Sequence, residues 1–76
     1  MQKETISTCK SMGKTIRDLR RSQGLTQAQL AGLSNTGIRF ISDLENGKET
    51  CQLGKILQVL GTLGVDVFIQ SPYDKD

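Results

Sequence analysis

The 76-residue sequence contains no histidine, no tryptophan, one proline, two cysteines and three aromatic side chains. Without histidine there is no imidazole to act as a base near neutral pH, and no convergent carboxylate pair or nucleophile-base arrangement replaces it, so enzymatic chemistry has no support. Cys9 and Cys51 are far apart and no CxxC pair occurs, which removes the spacing a zinc site needs. Two buried, reduced thiols are the expectation, with a disulfide as the alternative. No apolar run has the length of a signal peptide or a membrane span. The low aromatic content and 36% hydrophobic residues suit a small helical core rather than a cofactor cavity, and no cofactor is expected.

This length allows one domain, and a chain of this size buries only about 60% of its unfolded surface on folding, so a monomer is expected to be marginal. The net charge of +2 says little about partners, but its distribution says more. Lys10 to Lys48 carries seven bases against three acids, a balance of +4, whereas Glu49 to Asp76 carries two bases against four acids. The positive region is where a polyanion would be met.

Along the chain, residues 1–6 are short and polar and are expected to be disordered. Ser7 or Thr8 caps a first helix in which Met12, Ile16 and Leu19 form a buried stripe, Lys14, Arg17 and Arg21 face solvent, and Gly24 ends the helix. Gly13-Lys14-Thr15 resembles the end of a phosphate-binding loop, but that loop needs a glycine where Thr8 stands, so the reading fails. Thr26 and Gln29 make a capping box, and Leu25 with Leu30 makes a hydrophobic staple, so a second helix starts at Thr26. It runs through Ala28, Leu30, Ala31 and Leu33 for about two turns and must be held by tertiary packing. Ser34, Asn35, Thr36 and Gly37 break it, because Asn tolerates the left-handed region and Thr or Gly can cap the next helix.

A third helix starts near Gly37. At about 100° per residue, Gly37, Ile41, Leu44 and Lys48 share one side, while Arg39, Ser42, Asp43 and Asn46 share the other. Asn46 and Gly47 supply a left-handed stop. Thr50 can cap a fourth helix, with Leu53, Ile56, Leu57, Leu60 and Leu63 as its apolar stripe and a fraying end at Gly61 and Gly64.

Val65 to Gln70 then alternates with a two-residue period, Val65, Val67 and Ile69 on one face and Asp66, Phe68 and Gln70 on the other, as a strand does. A lone strand leaves its N–H and C=O groups unpaired, and no other strand candidate exists. The simplest partner is the same segment of a second copy, paired antiparallel about a two-fold axis through Val65, Val67, Phe68 and Ile69. A short fifth helix is the alternative. The domain is expected to span 7–70, with 71–76 a polar tail.

Two short helices joined by a tight turn, the second with an outward polar row, read as a DNA-reading helix-turn-helix. The major groove admits one helix, and side chains near its N-terminus reach base edges. Arg39 can donate two hydrogen bonds to guanine O6 and N7. Asp43, one turn later, can orient Arg39 or accept from cytosine N4, and a surface ion pair without a DNA role is its bland alternative. Ile38 can touch a thymine methyl or be partly buried. Phe40 is read as core rather than groove contact.

GLTQAQLA at 24–31 and FISDLENGK at 40–48 resemble the helix-turn-helix of the Xre and phage-repressor family, and the likeness covers about Thr8 to Leu63. The stretch from Asn35 to Val67 resembles the HipB-like branch, whose members repress operons encoding a HipA-like kinase toxin. The resemblance implies a mainly all-α, lambda-repressor-like DNA-binding domain of four to five helices with a C-terminal β-strand pairing across a homodimer. It also implies that Gln27, Thr36, Gly37, Ser42, Asn46 and Lys48 contact phosphates, assisted by the helix dipoles, and that Arg20 pairs with Glu45. Two independently solvated charges are the alternative for that last pair. A two-fold dimer presents two helices to half-sites about 34 Å apart, so an inverted-repeat operator is expected. The consistent location is the bacterial cytoplasm, on the nucleoid.

The residues leave three readings open: an operon autorepressor that also binds a HipA-like serine/threonine kinase toxin, a stand-alone repressor of a phage or mobile element, and a protein-interaction module that no longer binds DNA. The basic face argues against the third. Little sequence comes after the strand, so no long C-terminal extension is expected to reach into a toxin's active site.

Overall fold

The computed structural model describes residues 5–73, which form four helices: α1 (Cys9–Ser22), α2 (Gln27–Leu33), α3 (Ile38–Glu45) and α4 (Leu53–Thr62). Local chemistry sets the first two starts. Thr8 caps α1, its Oγ1 accepting from the Ser11 backbone N–H at 3.0 Å while Ser11 Oγ accepts from the Thr8 N–H at 3.2 Å. Thr26 does the same for α2, its Oγ1 accepting from Gln29 N at 3.0 Å and its own N–H donating to Gln29 Oε1 at 2.8 Å. Each pair satisfies two amides that a helix start otherwise leaves open. Between α2 and α3 the chain turns through Asn35 at φ 57°. The Ser34 hydroxyl donates to Leu30 O at 2.7 Å and Thr36 N–H to Ala31 O at 2.9 Å.

One core holds the helices: Ile16, Leu30, Ala31, Ile41, Leu44, Val59, Leu60 and Leu63 are buried. Met12, Leu19, Leu25, Phe40, Cys51, Ile56 and Val65 pack around it. Four of these side chains, Ile16, Leu30, Ile41 and Val59, have no solvent exposure, each worth about 1.5–3 kcal/mol of burial. No helix among the described residues is long and apolar enough to cross a membrane.

Several expectations are corrected. Gln52, not Thr50, is the N-cap of α4, and it makes no side-chain cap bond. The apolar stripe of α4 runs through Ile56, Val59, Leu60 and Leu63, while Leu53 and Leu57 are exposed. Leu57 lies about 160° around the helix from Val59, so burying Val59 against the core turns Leu57 outward. Arg17 is half-buried rather than solvent-facing. At the end of α3, Asn46 has φ −87° and Gly47 alone takes the left-handed conformation, at φ +81°. Cys51 is half-buried, but Cys9 is exposed, and both thiols are free.

The segment 65–70 is neither helix nor strand. Its start is anchored, since Val65 N–H donates to Leu60 O at 2.9 Å and its side chain packs on the core. Beyond it, Phe68 is 87% and Ile69 95% exposed. The described residues contain no strand, because a ladder needs a second strand and one copy of this chain offers none. The fifth helix is also not formed. The expected disorder of residues 1–6 and the 71–76 tail lie partly outside the described residues.

At Gly13, α1 comes close to the backbone of α3. A Cβ there would meet the Leu44 carbonyl oxygen and lie 2.7 Å from the Glu45 carbonyl oxygen, backbone atoms that cannot step aside. The glycine of the Gly-Lys-Thr triplet therefore serves helix packing. Gly13→Ala is expected to lower stability by about 1–3 kcal/mol through overpacking. Gly32→Ala on α2, where an added methyl meets nothing within 4 Å, should instead gain up to about 1 kcal/mol of helix propensity. Urea denaturation of the two variants beside the parent checks both signs.

Candidate nucleic-acid interface

Under α3 lies a buried ionic cluster. Arg20 and Glu45 are 8% and 4% exposed, one near the end of α1 and the other at the last turn of α3. Arg20 Nε donates to Glu45 Oε2 at 2.6 Å and Nη2 to Oε1 at 2.9 Å, the paired fork geometry that makes guanidinium-carboxylate contacts strong. Nη1 donates to the Leu25 carbonyl oxygen at 2.8 Å, and Gln27 Nε2 donates to Glu45 Oε1 at 3.0 Å. Arg17 Nε stands 3.8 Å from the same oxygen. One carboxylate thus joins α1, α2 and α3, and Arg20 ties in the α1–α2 link through the Leu25 carbonyl. No buried side-chain polar atom among the described residues lacks a partner.

The charges respond to this setting. Burial pushes the Glu45 carboxyl up, but hydrogen bonds from Arg20 and Gln27 and the charges of Arg20 and Arg17 outweigh it, so it titrates below its ordinary value. The bond to Glu45 raises Arg20 above its ordinary value against the opposing effect of burial, with the Glu45 charge adding to the rise.

This cluster seats the outward face of α3. Arg39 and Asn46 are exposed, Ser42 and Asp43 half-buried, and Ile38 is 55% exposed at the first position of the helix. Asp43 does not bond to Arg39; its Oδ2 accepts from Lys48 Nζ at 3.4 Å. Arg39 has no hydrogen-bond or ion-pair partner among the described residues, so its guanidinium is open to a ligand. Phe40 is half-buried, with Lys55 Nζ 5.7 Å from its ring centroid, so it sits at the flank of the face. Gly37 is the N-cap of α3 and offers no side-chain acceptor, which leaves the first amides of the helix open. Thr36 is half-buried, its hydroxyl 2.9 Å from that of Ser34. Gln27 does not simply project outward, because one amide hydrogen is committed to Glu45.

The parts that sequence reasoning missed are Gln27 and Arg17 as partners of Glu45 and the Leu25 carbonyl as acceptor for Arg20. Arg17 and Arg20 sit three apart on one helix face, a spacing that points both at a common anion.

A family model described as a helix-turn-helix domain matches residues 11–67. An uncharacterized HTH-type transcriptional regulator, y4mF of Sinorhizobium fredii, is 47% identical over 70 residues, spanning 92% of each chain. A chain of the HipA-HipB-O2-O3 complex superimposes with a TM-score of 0.83 at 20% identity, over 92% of this chain and 99% of the other. The restriction-modification controller protein C.AhdI of Aeromonas hydrophila gives a TM-score of 0.70 at 29% identity, over 76% and 84% of the two chains.

Because Glu45 titrates lower folded than unfolded, its stabilisation is fully present above about pH 4.3, the ordinary glutamate value, and is lost as pH falls through the lower folded value. Arg20→Met leaves the buried carboxylate without its paired guanidinium, with only the Gln27 bond and the more distant Arg17, and should cost about 3–5 kcal/mol at neutral pH, with a flatter stability profile below about pH 5. Adding Glu45→Leu should recover much of the loss. Chemical denaturation of the three proteins from pH 3 to 7 tracks both effects.

Proposed function

Since this chain belongs to the Xre-type helix-turn-helix family of DNA-binding transcriptional regulators, we propose that it is a dimeric, sequence-specific repressor that acts on an inverted-repeat operator in its own promoter. The observation that carries this reading is the open face of α3, with the unpartnered Arg39 guanidinium beside Ile38, Ser42 and Asn46, held on a buried ionic seat.

Arg39 reads guanine through O6 and N7, and Ile38 meets a thymine methyl at the helix start. Asp43 sets the position of Lys48 rather than that of Arg39, and Lys48 is delivered to a phosphate at the C-terminal end of α3. The open amides behind Gly37, together with Thr36, Ser42, Asn46 and the free amide hydrogen of Gln27, hold the backbone in register without reading sequence.

Val67, Phe68 and Ile69 carry the dimer. Leaving them 55%, 87% and 95% exposed is costly for so small a domain, and pairing Val65 to Gln70 antiparallel with a second copy supplies both the missing ladder and the missing cover. The fold shared with a chain solved alongside HipA supports a HipA-like serine/threonine kinase toxin as a further partner. The second reading, a stand-alone regulator, is favoured by the likeness to a restriction-modification controller.

Arg39→Ala should lose about 1–3 kcal/mol of operator preference per contact while binding to random DNA changes little; equal losses on both remove its reading role. Ile69→Asp should yield a folded monomer with weakened operator binding, visible by sedimentation and mobility shift. Affinity capture from the native host at endogenous level, with sequencing of bound DNA, separates the toxin-antitoxin reading from the stand-alone one by whether a kinase accompanies the promoter.

A further inference from the structure

The two cysteines stand in opposite halves of the chain, yet the fold brings them to one groove. That groove has a volume of about 350 Å³ and is lined by both cysteines, with Met12, Leu44 and Ile56 among its apolar walls and Lys48 also lining it. The approach is set by backbone. A Cβ on Gly47 would lie 2.9 Å from the Cα of Lys10, so the residue after Cys9 abuts the turn that leads to Cys51. Cys9 is the first residue of α1 and is exposed; Cys51 is half-buried at the edge of the core. Burial raises the Cys51 thiol, with the charges of Asp43 and Cys9 adding to the rise and that of Lys48 opposing it.

We propose that Cys9 and Cys51 close a reversible intramolecular disulfide when the protein meets a peroxide or a small-molecule disulfide, stapling the start of α1 to the loop that leaves α3. Cys9, the exposed sulfur, reacts first. Its thiolate attacks a peroxide oxygen, the O–O bond breaks, and Cys9 becomes a sulfenic acid as the leaving oxygen takes a proton and departs as water. The Cys51 sulfur then attacks the sulfenic sulfur, the S–O bond breaks, and a second water leaves with the Cys51 proton. Two thiols are oxidised by two electrons and one peroxide is reduced to two waters. With a small-molecule disulfide, the same order gives a mixed disulfide on Cys9, which Cys51 resolves by releasing the second thiolate. The closed loop contains α1, α2 and α3, so the bond restrains most of the helical domain in its unfolded state.

The test treats the full chain with hydrogen peroxide and, separately, with glutathione disulfide, then alkylates residual thiols and maps peptides without reduction. The expected product is a monomer lighter by about 2 Da, unreactive to the alkylating agent, with Cys9 and Cys51 in one linked peptide. Dithiothreitol should restore both thiols, and the thermal midpoint should rise on oxidation and fall back on reduction. Cys9→Ser, at an exposed position, should abolish the mass loss while leaving the reduced midpoint unchanged. A product in which Cys9 carries a stable adduct while Cys51 is still alkylated, or a disulfide between two copies, overturns the proposal. The wild-type peptide map decides even if a Cys51 variant folds poorly.

Discussion

The buried carboxylate of Glu45 is the constraint on which the rest of this molecule depends. A charge taken out of water costs several kcal/mol unless it is paired and hydrogen-bonded. Glu45 meets that demand only when Arg20 at the end of α1 and Gln27 at the start of α2 are both in place. The orientation of α3 is therefore fixed by the position of the two helices before it. An eight-residue helix such as α3 has too little intrinsic stability to hold its own angle; here the angle is set from below.

Apolar packing and close backbone contact complete what the ionic cluster starts. Ile41 and Leu44 turn one side of α3 into the core, and Gly13 lets α1 run against its last carbonyls. The outward side is thereby free of structural duty, apart from the Asp43–Lys48 contact.

The same economy leaves the C-terminal segment incomplete. Val65 closes the core, but the apolar side chains after it have no cover within one copy. That surface leaves a physical demand, ladder bonds plus burial, that one copy does not meet among the described residues. Two-fold pairing would tie stability and the spacing of two reading helices to one contact, so that a weakened dimer is both less stable and less able to span two half-sites.

The sequence by itself determined the features whose partners lie within one helical turn. The capping box at Thr26, the left-handed turn at Asn35 and the outward position of Arg39 are set locally, whereas the structure chose Thr8 over Ser7 as the first cap and showed its box with Ser11. The two-residue alternation of 65–70 was equally plain in the sequence, but the segment forms neither strand nor helix, because alternation alone makes no ladder. The Arg20–Glu45 pair was legible only through family likeness, since spacing alone cannot tell a bonded pair from two solvated charges. Only the tertiary structure decided which α4 residues face inward, because a helix with apolar side chains on more than one side is oriented by its neighbours, and Val59 displaced Leu57. It also decided that Gln27 turns to Glu45, that Gly13 lies against the backbone of α3, and that Cys9 and Cys51 share a groove. These depend on which distant surfaces meet, and that is settled by the joint packing of all four helices rather than by any local run of residues.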